Sequence, residues 1–119
     1  MSIKSQKNNL PPPLHNLTLK EIFVLTGIPL YLIEGFLEGH FKPKREDREK
    51  LTNLSRRFYG WNDLEKTAFL QRKKWGILRG FLSLSEKEEL FNQPEKYGKR
   101  LDALVDKYWD RIVLTVAGK

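Results

Sequence analysis

The chain has 119 residues, a formal net charge of +7, 39% hydrophobic and 12% aromatic residues, and no cysteine. That length suits one ordinary domain or a small domain with an appendage, and the apolar share excludes wholesale disorder. The lack of cysteine excludes a disulfide framework, thiolate zinc sites and cysteine nucleophiles, and no apolar run approaches the roughly 20 residues that span a bilayer. Residues 1–16 carry no apolar stretch of the signal-peptide kind, so the expected address is cytoplasmic. Twenty-two Lys and Arg against fifteen Asp and Glu favour a polyanionic partner, most often nucleic acid, because phosphate contacts release counterions.

In chain order, residues 1–16 are polar and break at Pro11-Pro12-Pro13, which predicts a flexible arm ending in an extended polyproline spacer. From Thr18 onward the apolar positions recur with helical period, and no run alternates convincingly with period two. Thr18 with Glu21 forms a capping box for a helix over about 19–26 that ends at Gly27. After the Ile28-Pro29 turn a second helix runs to Glu38 and stops at Gly39, and Pro43 opens a third over about 44–58 that Gly60 ends.

Asn62 can cap a fourth helix over about 63–81, apolar on more than one face and so expected to be sandwiched. Ser85 with Glu88 reads as a second capping box, opening a short helix to about Phe91. Pro94 precedes a last helix over about 95–114, whose stripe is Tyr97, Leu101, Leu104, Val105, Tyr108 and Ile112, with Trp109 beside it. The β-branched run Ile112–Val116 leaves a short strand open there.

Residues 18–39 have the spacing of a helix-turn-helix, in which a glycine makes the turn and each helix sends apolar residues inward. Gly27 supplies the turn, and Ile22, Ile28, Ile33 and Phe36 point inward. Over about 18–58 the chain resembles the lambda-repressor-like class of DNA-binding domains. The run Thr18-Leu19-Lys20-Glu21-Ile22-Phe23-Val24-Leu25-Thr26-Gly27-Ile28-Pro29 is similar to the opening of the lac-repressor-type headpiece. Phe36-Leu37-Glu38-Gly39 and Arg48-Glu49-Lys50-Leu51 resemble its later segments, and Gly39 with Pro43 resembles the phage Cro type. The Thr26–Pro29 turn is also similar to that of mercury-resistance-type regulators, so the resemblance speaks for an architecture rather than for one family.

Two departures from the class matter. Phe23 stands where the class usually has alanine, at a close approach of two helices. The residues that the resemblance aims at the major groove are Leu30, Tyr31, Glu34, Gly35 and Glu38, with no cation among them, whereas base edges are usually read by Gln, Asn, Arg, Ser or Thr. A buried helical hairpin has the same spacing. Residues 42–57 hold seven cations and three carboxylates, a stretch suited to lie beside phosphates. A second cluster, Lys66, Arg72, Lys73, Lys74 and Arg79 among Phe69, Trp75 and Phe81, reads as a solvated face over core aromatics.

The expected fold is therefore all-α, with a flexible arm over 1–16, a three-helix helix-turn-helix domain over 17–60, and two or three further helices over 61–119. The expected function is that of a small DNA-binding protein, a transcriptional regulator taking double-stranded DNA. Thr18, Leu30, Tyr31, Glu34, Lys42, Lys44, Arg45 and Arg48 are its candidate contacts. The alternative is a module that binds a protein partner through Leu30, Tyr31 and Leu32. A homodimer would use Tyr97, Leu101, Leu104, Tyr108, Trp109 and Ile112, aromatics being enriched at interfaces, though the same stripe could pack within one chain. His15 and His40 lack ligand spacing, and no phosphate-binding glycine loop or nucleophile elbow is present, so neither enzyme, metal nor cofactor is expected.

Overall fold

A computed structural model of the chain describes residues 10–40 and 42–117. Among these residues there are seven α-helices and two 3₁₀ turns, with no strand. The chain divides between Asn62 and Asp63 into two units.

The first unit begins where the flexible arm was expected. Residues 1–9 of that arm lie outside the described residues. The rest is ordered by its leucines: Leu10, Leu14 and Leu17 are all buried, Leu14 completely. Pro11 is polyproline-like, but Pro12–Leu14 closes a 3₁₀ turn, with the Leu14 N–H donating to the Pro11 carbonyl at 2.9 Å. Proline's fixed φ suits the first residues of such a turn as well as an extended spacer, and three apolar anchors decide between them. The ring of His15 adds a bond from Nε2 to the Leu10 carbonyl at 2.7 Å.

Three helices follow: α1 (Leu19–Thr26), α2 (Leu30–Glu38) and α3 (Arg45–Phe58). Thr18 caps α1 as expected, its Oγ1 accepting the Glu21 N–H at 3.1 Å while its own N–H donates to Glu21 Oε1 at 2.9 Å. Gly27 takes the left-handed conformation, φ 76°, that ends α1 without a Cβ clash. Thr26 locks the turn from inside: its Oγ1 donates to the Ile22 carbonyl at 2.6 Å and accepts the Ile28 N–H at 3.1 Å. Pro29 is the N-cap of α2. Phe23 is accommodated in the core, 2% exposed, on a helix that packs against α2.

Both the 3₁₀ turn and α1 pack against α3, which turns Leu51, Leu54 and Phe58 inward. Glu46 and Asp47 in its first turn and Arg56 and Arg57 in its last complement the helix dipole.

In the second unit, α4 (Asp63–Leu78), α5 (Leu84–Asn92), α6 (Tyr97–Lys107) and α7 (Trp109–Ala117) follow, with a 3₁₀ turn at Pro94–Lys96. The centre is α6, against which α4, α5 and α7 all pack. Three expectations change here. Helix α4 ends at Leu78 and is not sandwiched: only Leu78 is buried, and Leu64 is largely exposed. The capping box is Ser83 with Glu86, not Ser85 with Glu88, the Ser83 Oγ accepting the Glu86 N–H at 3.1 Å. The final helix breaks at Tyr108, where the backbone leaves the helical well (φ −103°, ψ 20°), and Ile112–Val116 is helical rather than a strand.

Candidate nucleic-acid interface

The candidate contacts separate on the folded surface. Thr18 is occupied in capping α1. On α2, Leu30 is half-buried and Gly35 buried, so the accessible stripe reduces to Tyr31, 70% exposed, with Glu34 and Glu38. Glu38 Oε2 lies 2.9 Å from His40 Nε2. This stripe is aromatic and acidic, and it offers phosphate no cation. Phe36, as expected, and Leu37 are buried in the core.

The cations behave otherwise. Lys42, Lys44, Arg45 and Arg48 are all exposed around the start of α3, where the unsatisfied N–H groups and the dipole add their own positive potential. Arg45 Nε donates to Glu49 Oε1 at 3.3 Å, one turn along the helix. Beside them lies an open groove of about 520 Å³, lined by Pro11, Lys42, Pro43, Arg48, Leu51 and Thr52. Two cations share it with Pro11, Pro43, Leu51 and Thr52, and no carboxylate is among its described lining residues.

A second basic groove had not been expected. It measures about 250 Å³ and lies between the end of α1, at Leu25 and Thr26, and an α3 stripe of Lys50, Asn53, Leu54 and Arg57. The signal in the sequence was the i, i+3, i+4, i+7 spacing of that stripe, which places its members on one flank of a helix.

The strongest electrostatic perturbation lies in the second unit and is structural. The carboxylate of Glu86 accepts from Lys107 Nζ (2.8 Å), from the Tyr108 hydroxyl (2.7 Å) and from the Ser83 N–H (3.0 Å). The Lys107 bond first, then the backbone and tyrosine bonds, hold its pKa down from 4.5 to about 2. Both oxygens are engaged by the chain's own donors, which suits a tie between α5 and α6 better than acid–base chemistry.

Two of the six residues expected at a dimer interface are internal. Leu101 and Ile112 are 0% and 1% exposed and are unavailable to a partner, and Tyr97, Leu104, Tyr108 and Trp109 are half-buried. Among the described residues no helix is long and apolar enough to cross a membrane. No family model, curated protein or solved structure matches the chain.

Proposed function

We propose that the first unit is a helix-turn-helix module that binds double-stranded DNA, in a cytoplasmic protein that regulates transcription. The observation that carries this reading is the set Lys42, Lys44, Arg45 and Arg48, all exposed at the start of one helix beside a groove with no carboxylate among its described lining residues. Phosphate contacts of this kind set affinity and position without selecting sequence. The glycine turn between α1 and α2 and the net charge of +7 support it further. The test is titration of a DNA duplex with the full chain at rising salt. Binding should fall steeply with salt, and replacing Lys42 and Arg48 by alanine should lower the log–log salt slope by about two, one for each lost phosphate contact. No duplex binding at low salt would contradict the proposal.

One observation favours a second reading, a protein-interaction module: Tyr31 is 70% exposed on α2, with Leu30 and Leu32 half-exposed at its sides. Under that reading Tyr31→Asp abolishes association with a protein partner and leaves the fold intact. Under the DNA reading it leaves low-salt duplex affinity in place.

A further inference from the structure

We infer that α3, rather than α2, is the helix that enters the major groove, with Asn53 and Arg56 facing the base edges. This rests on the proposal that the first unit binds duplex DNA, and it reassigns which side chains do the reading.

The geometry of α3 carries the inference. At 3.6 residues per turn, Leu51, Leu54 and Phe58 define its inward side, and Arg45, Glu49, Asn53 and Arg56 fall roughly opposite. All four of those are exposed. About a quarter turn from the core on one flank stands Arg48, over the groove it shares with Lys42. On the other flank stand Lys50 and Arg57, in the groove at the end of α1. The helix thus has cations along both flanks, with Arg45, Glu49, Asn53 and Arg56 between them and the exposed Glu46 beside the Lys50 and Arg57 flank.

That is the arrangement a helix lying in a major groove needs. With 14 residues, α3 is about 21 Å long, and a helix with its side chains is roughly 10–12 Å across. A B-DNA major groove about 12 Å wide admits such a helix, with a phosphate row on either side. The flanking cations would meet the two rows, and the outward side chains would meet the base edges. Asn pairs in bidentate fashion with adenine and Arg with guanine, and a carboxylate such as Glu49 can accept from cytosine.

Helix α2 offers none of this. Its exposed stripe of Tyr31, Glu34 and Glu38 holds no cation to offset its two carboxylates against phosphate-lined walls.

The experiment selects preferred duplexes from a randomised pool with the full chain, then measures affinities of three double variants for the preferred duplex and for an unrelated one. Circular dichroism confirms that each variant is folded. Asn53→Ala with Arg56→Ala should remove the preference, a loss of roughly 25-fold or more at the preferred duplex, since each of the two base contacts is worth about 5- to 150-fold. Lys50→Ala with Arg57→Ala should weaken both duplexes alike and lower the salt slope. Tyr31→Ala with Glu34→Ala should leave the preference unchanged. If the preference instead vanishes with the Tyr31 and Glu34 pair and survives the Asn53 and Arg56 pair, α2 is the reader and the inference is overturned. A wild type that binds duplexes without any preference overturns it as well, while leaving DNA binding in place. A wild type that binds no duplex removes the proposed function itself.

Discussion

The Tyr108 hydroxyl donates to Glu86 Oε1 across 2.7 Å, while Lys107 Nζ holds the other oxygen of the same carboxylate at 2.8 Å. One side chain thereby caps the start of α5, through Ser83, and ties it to the end of α6. It explains which of two adjacent Ser-x-x-Glu patterns is used: only Glu86 reaches both partners.

The first prediction is an acid transition with a known sign. Glu86 has a pKa of about 2 in the fold and 4.5 as a free side chain, so the unfolded chain takes up its proton first. The stability this group contributes is complete above pH 4.5 and is lost as pH falls toward 2. Denaturant unfolding of wild type and Glu86→Gln across that window should show a difference that shrinks with falling pH. Tyr108→Phe should move the carboxylate pKa back upward in an NMR titration. A difference independent of pH would contradict the assigned bonds.

The second prediction concerns the segment before α1. Leu14 is fully buried within a 3₁₀ turn packed on α3, so Leu14→Ala should cost about 2–5 kcal/mol of stability, as buried leucine truncations do. Truncating a flexible arm would cost nothing measurable. Thermal or denaturant unfolding distinguishes the two.

What could be read from the sequence was what short-range chemistry decides. Thr18 with Glu21, Gly27 and Gly39 mark helix ends through bonds and dihedrals internal to a few residues, and these three of the four ends of α1 and α2 were legible. The misplaced features depend on distant partners. Pro12–Leu14 turns because its leucines find α3, and the choice of Ser83 over Ser85 involves Tyr108, 22 residues beyond Glu86. Candidate contacts divided in the same way. The cations at 42–48 are exposed as their charge implies, but Leu30 and Gly35 turned inward once α2 packed. The Lys50 flank appeared only when α3 was set against α1.

The third prediction follows from the burial of Leu101, one residue of the expected dimer stripe. Leu101, 0% exposed, lies on the helix at the centre of the second unit, so Leu101→Glu should unfold that unit by burying an unpaired charge. A residue at a dimer interface would instead yield a folded monomer. Helical circular dichroism together with sedimentation of the variant separates these results.

The most direct test of DNA binding by the first unit is amide chemical-shift mapping of the full chain while a duplex is added at low salt. The account predicts shifts concentrated in residues 42–57, covering Lys42, Lys44, Arg45 and Arg48 and continuing along α3 to Arg57, and reversed when salt is raised. Shifts confined to the second unit, or none at any duplex concentration, would contradict it.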